Sequence, residues 1–130
     1  DATLMTSVEG VFACGNVLHV HDLVDYASEE AERCGESASR FISGDLEREQ
    51  VRVTCGANVR YMVPERVAAG RTNVVYARSM IVKNGARLVA ADDHEEHLST
   101  RLRHVQPSEM IRFELSPPVG ATEDIQVSIL

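Results

Sequence analysis

Hydrophobic and polar positions change their period once along this chain, close to residue 48. Ahead of it, Val11-Phe12-Ala13-Cys14 is apolar on both faces, the pattern of a strand buried in a layered sheet, and predicts a strand over Gly10–Cys14. A polar stretch, His19-Val20-His21-Asp22, follows. Leu23, Ala27, Ala31, Cys34, Ala38, Phe41 and Ile42 then recur at steps of three and four, with Val24 and Tyr26 widening the stripe, so a helix is expected from Asp22 to Ile42. Asp22 is the candidate N-cap, Asp25, Glu29 and Glu30 complement the helix dipole, and Ser43-Gly44-Asp45 is a stop signal. Gly35 inside the pattern costs ~1 kcal/mol against Ala, or permits a close neighbour.

Beyond a charged linker at Leu46–Gln50, short β-type runs alternate with turn signals. Strands are expected at Gln50–Cys55, Val59–Met62, Asn73–Val82, Arg87–Asp93, His97–Leu102, Glu109–Leu115 and Asp124–Ile129. Lys83-Asn84-Gly85 reads as a hairpin turn, and Gln106-Pro107-Ser108 and Ser116-Pro117-Pro118 as breakers. The fold class this predicts is α+β: a strand and one long helix in residues 1–48, then a small antiparallel β-sandwich of immunoglobulin-like size in residues 49–130. Strand order is not derivable from the pattern.

Composition narrows the functional classes. A net charge of −7 argues against nucleic-acid binding, which needs clustered Lys and Arg. No apolar run reaches the ~18 residues of a helical membrane span. Cys14, Cys34 and Cys55 form no CxxC pair and are odd in number, which suggests reduced thiols and a cytoplasmic location. The chain opens on Asp1 inside a motif-like stretch, and the expectation is a piece of a longer protein.

That motif is Thr6-Ser7-x-x-Gly10-Val11-Phe12-Ala13-x-Gly15-Asn16. It resembles the last flavin-contacting segment of the pyridine nucleotide-disulfide oxidoreductase superfamily, in which an Asp is usual where Asn16 stands. The run Gly15-Asn16-Val17-Leu18-His19-Val20-His21-Asp22-Leu23-Val24-Asp25 is similar to a branch of NAD(P)/FAD-dependent oxidoreductases related to anaerobic glycerol-3-phosphate dehydrogenase subunits. The flavin motif covers residues only to about Gly44. Val59-Arg60-Tyr61-Met62-Val63-Pro64 and Pro107-Ser108-Glu109-Met110 resemble runs in the strand-rich tail of the same branch, whose biochemical role does not carry over.

The resemblance implies cofactor-binding positions at Gly15, Asn16, Leu23 and Val24. Asn16 would hydrogen-bond the ribityl or phosphate end of FAD, keeping an acceptor oxygen and adding donors. The helix start near Leu23 and Val24 would aim backbone N–H groups at the flavin pyrimidine, where partial positive charge stabilises reduced flavin. A turn-forming Asn and a capped helix are the plainer readings of the same residues. No Gly-x-Gly-x-x-Gly turn is present, so residues 1–130 alone are not expected to hold FAD, NAD or NADP.

Other candidate chemistry is weaker. His19, His21 and Asp22 are metal-ligand types, yet no second cluster of the right kind follows in the sequence, so no metal is expected; a polar loop, or a substrate-side proton role for either His, fits better. Asp92-Asp93-His94-Glu95-Glu96-His97 has the wrong histidine spacing for a zinc protease and reads as a solvated acidic turn. Cys14 and Cys34 read as small buried residues. The catalytic residues stay unassigned.

Three functions follow as expectations. In the first, the intact parent is an FAD-dependent, NAD(P)-linked oxidoreductase and this chain its C-terminal part, inactive alone, whose first partner is the remainder of its own polypeptide. In the second, the sandwich is a non-catalytic module for homodimerisation or docking of an electron-transfer subunit. A free-standing immunoglobulin-like binding protein is third, and it leaves the match at Thr6–Asn16 unexplained.

Overall fold

The computed structural model describes residues 1–46 and 49–130. The predicted linker Leu46–Gln50 therefore falls partly outside the described residues, at Glu47 and Arg48. The chain divides into two compact units, Asp1–Arg48 and Glu49–Leu130.

In the first unit the expected strand at Gly10–Cys14 does not form. One isolated bridge pairs Met5 with Phe12, held by Thr6 N–H donating to Val11 O (2.8 Å) and Ala13 N–H to Leu4 O (3.0 Å). The apolar run has the composition of a central strand but no flanking strands to ladder with among the described residues, and Val11 stays half exposed. Phe12 instead meets Phe41 edge-on, with ring centroids 5.9 Å apart. The Asp1 carboxylate fixes the first turn by accepting from the Thr3 N–H (2.9 Å) and the Met5 N–H (3.2 Å).

A single 3-10 turn, Gly15–Val17, leads to helix α1, Val24–Ser43. The N-cap is Leu23 rather than Asp22, and its side chain makes no capping bond. The helix ends as its sequence demands: Gly44 adopts φ 77°, its N–H donates to Phe41 O (3.1 Å) and that of Asp45 to Arg40 O (2.9 Å). The buried face is offset from the predicted stripe. Glu30 and Cys34 are its buried residues, flanked by half-buried Tyr26, Ala27, Ala38 and Phe41, while Leu23, Val24, Ala31 and Ile42 are exposed. A Cβ at Gly35 would meet nothing within 4 Å, so no close neighbour explains that glycine.

The second unit contains β1 (Gln50–Cys55), β2 (Val59–Val63), β3 (Arg66–Ala68), β4 (Asn73–Ser79), β5 (Lys83–Ala91), β6 (Glu96–Val105), β7 (Met110–Leu115) and β8 (Ile125–Ile129). They form a five-stranded sheet, β3-β1-β8-β5-β6, and a three-stranded sheet, β2-β4-β7. The chain is thus α+β, one helix followed by two sheets. The expected all-antiparallel pairing is corrected by β1 and β8, which run parallel, Val53 opposite Ile125 and Cys55 opposite Val127. Local turn signals report only consecutive pairings, and these two strands lie at opposite ends of the unit.

Lys83-Asn84-Gly85 is not a hairpin turn. β4 and β5 lie in different sheets, and the crossing falls at Met80–Val82, where Ser79 Oγ accepts from the Ile81 N–H (3.0 Å) and donates to Ile81 O (2.8 Å). Asn84 and Gly85 extend β5 against β6, giving the longest ladder of the unit. The short β3, unmarked by any run of its own, pairs antiparallel with β1.

Alternation along β5 and β8 buries Ala86, Leu88, Ala90, Ile125, Val127 and Ile129, and these join Val51, Val53, Val75, Ala77, Phe113 and Leu115 in one hydrophobic core shared by both sheets. The sheet edge at β6 is mostly exposed and carries Arg101, Arg103 and His104, charge that guards an unpaired edge.

Candidate functional site

The strongest concentration of chemistry lies in the first unit, around Glu30. Position 30 falls between Ala27 and Cys34 on the inward line of α1, so the helix period drives its carboxylate into the interior. Backbone after the 3-10 turn then folds back over it. The Gly15 N–H donates to Glu30 Oε1 at 2.6 Å. His19 Nε2 lies 2.7 Å from Glu30 Oε2, and His21 Nε2 lies 3.0 Å from Oε1. The side chains of His19, His21 and Glu30 are 3%, 2% and 0% exposed. Their ligand-type atoms lie within 4.8 Å of one another.

A second layer holds the loop. The His21 N–H donates to Asn16 Oδ1 at 3.2 Å, and the two imidazoles stack at a tilt with centroids 4.2 Å apart. Burial alone pushes the Glu30 carboxyl up; its contacts with His19, His21 and the Gly15 N–H outweigh that and hold it below its ordinary value. Below it on the same face, burial, with the neighbouring Cys14 thiol and Glu30 adding to it, pushes Cys34 up to about 11, so Cys34 is an inert thiol. All three cysteines are free.

Of the residues expected at a flavin, Gly15 and Asn16 meet at this cluster, one through its N–H and the other through its side chain. Leu23 and Val24 stand apart at the start of α1, both exposed. Asp22, the acid next to the histidines in sequence, is exposed and outside the three-residue group. Glu30 is the residue sequence reading missed as a site. Its signal was available: a carboxylate on the apolar line of an amphipathic helix needs a buried partner.

The second unit has an open hollow of about 560 Å³ whose lining includes Thr54, Asp92, Asp93, Glu123, Asp124 and Gln126. Asp92 is committed to the β5–β6 turn. It accepts from the N–H groups of His94 (2.8 Å) and Glu95 (2.9 Å) and lies 2.7 Å from His97 Nε2, and these bonds lower its pKa to about 2. Residues 92–95 make the expected turn, but Glu96 and His97 already belong to β6, and the His97 side chain is buried rather than solvated.

Compared with known proteins, the chain matches no family model, no curated protein and no solved structure. No helix of the described residues is long and apolar enough to cross a membrane.

Proposed function

We propose that this chain is the C-terminal part of an FAD-dependent, NAD(P)-linked oxidoreductase and supplies the last segment of its FAD site. The observation that carries the reading is the Thr6–Asn16 motif at fixed spacing, followed by a loop and a helix start. Two features support it. Helix α1 begins at Val24 behind an N-cap, Leu23, whose side chain makes no capping bond, the arrangement wanted where N–H groups are to face an electron-rich ring. Val8, Val11, Val17, Val20, Leu23 and Val24 are all at least half exposed, and covering such side chains is worth ~1.5–3 kcal/mol each. The remainder of the parent polypeptide is the cover this reading assigns, with Gly15, Asn16, Leu23 and Val24 toward the flavin.

The second unit is, on this reading, an immunoglobulin-sized β-sandwich tail without chemistry of its own, serving homodimerisation or the docking of an electron-transfer subunit in the cytoplasm. Met80 and Val82, exposed together at the crossing between the sheets, favour a contact role.

The test is the absorption spectrum of the full-length parent. Flavin bands that bleach on anaerobic addition of NADH or NADPH, and that are lost in an Asn16→Ala parent, are expected. A colourless, folded parent that takes up no FAD overturns the oxidoreductase reading and leaves the contact module.

A further inference from the structure

We propose that His19, His21 and Glu30 form a binding site for a divalent transition-metal ion of the zinc class. This does not rest on the flavin reading. The donor set is two imidazole nitrogens and one carboxylate oxygen, the composition of zinc sites that keep a fourth position for water. It suits borderline ions such as Zn²⁺ or Co²⁺ better than Mg²⁺ or Ca²⁺, which take all-oxygen shells.

Geometry supports the assignment. The Nε2 atoms stand 2.7 and 3.0 Å from the two oxygens of one carboxylate, and all three ligand-type atoms fall within 4.8 Å. Bonds of about 2.0–2.1 Å in a tetrahedral shell set ligand atoms roughly 3.3 Å apart. To admit an ion in place of the shared protons, the two Nε2–carboxylate contacts open by a few tenths of an ångström, and any ligand pair near the 4.8 Å bound closes toward that spacing. Each imidazole then coordinates through Nε2 and carries its proton on Nδ1, Glu30 stays ionised, and water completes the shell.

Burial and the surrounding bonds point the same way. A carboxylate with no exposed surface is costly to desolvate, and a divalent cation compensates it more fully than hydrogen bonds do. The Gly15 N–H on Oε1 and Asn16 Oδ1 on the His21 N–H orient a ligand and the ligand loop without occupying Nε2 of either imidazole, as outer-shell partners do in metal centres.

The experiment is titration of the chelator-stripped 130-residue chain with Zn²⁺ against a chromophoric competitor, and with Co²⁺ followed by its visible absorption. One tight equivalent of zinc is expected, with a tetrahedral-type cobalt spectrum. Outer-shell losses weaken metal sites by about 10–100-fold, so His19→Ala and Glu30→Gln should each weaken zinc by roughly 100-fold or more, and Asn16→Ala by roughly 10-fold. His94→Ala/His97→Ala, in the other unit, should leave it unchanged. No zinc uptake, uptake that survives His19→Ala/His21→Ala, or uptake lost in His94→Ala/His97→Ala overturns the proposal. Should the ligand variants lose their helix by circular dichroism, X-ray absorption of the zinc-loaded native chain decides. Two imidazoles with light oxygen donors support the site, and any other shell refutes it.

Discussion

Glu30 is where one side chain matters most in the first unit, because it satisfies three groups at once while fully buried. Glu30→Gln keeps the shape but removes the charge that strengthens those bonds, and should cost the unit roughly 2–3 kcal/mol, read as a loss of helical signal on heating. The pH dependence has a definite sign. The carboxyl titrates lower in the folded unit than its ordinary 4.5. Its contribution is therefore complete above that value and is lost as pH falls through the folded one. Acid unfolding of α1 should begin below pH ~4.5 and should flatten in Glu30→Gln. Asp92 obeys the same sign in the other unit. Its carboxyl resonance should titrate near 2, held down by the Glu95 and His94 N–H groups and then by His97, and His97→Ala should move it partway back toward 3.8.

At the scale of elements, Asn73 and β8 carry more than their sequence suggests. Asn73 Oδ1 accepts from the Ala68 N–H (2.8 Å), and its Nδ2 donates toward the carbonyls of Ala68, Arg71 and Leu115, tying β3, its turn and β7 to the start of β4. Asn73→Asp would set an acceptor against those carbonyls, so at least about 2 kcal/mol should be lost in denaturant unfolding of residues 49–130. Strand β8 sits between β1 and β5, with Ile125, Val127 and Ile129 wholly buried. Deleting residues 125–130 removes roughly 5–9 kcal/mol of burial, comparable to the whole stability of a small domain, and should abolish the strand signal. These roles were hidden because neither the span of a parallel pair nor the partners of a buried amide are written in local pattern.

For the whole molecule, the second unit draws one core from both its sheets. Residues 49–130 produced alone should fold, giving dispersed amide resonances and a β-type circular dichroism spectrum; a collapsed spectrum would show that the unit depends on other chain. The first unit is the opposite case, with one helix, an isolated bridge and many exposed apolar side chains.

The sequence by itself determined the local terms. Periodicity placed α1 to within two residues, Gly44 stopped it because a left-handed cap favours glycine, and alternation placed seven of eight strands, since each signal is carried by neighbours along the chain. A motif of contiguous residues also singled out Gly15 and Asn16, though for a flavin and not for the bonds they make to Glu30 and the His21 N–H. Only tertiary structure decided the rest. It gave Gly10–Cys14 one isolated bridge and, among the described residues, no sheet, turned Asn84-Gly85 from a hairpin into strand, joined β1 to β8 across the unit, and set Glu30 between His19 and His21. Each of these depends on which surfaces meet, and burial energy between distant segments, not the preference of any short run, settles that.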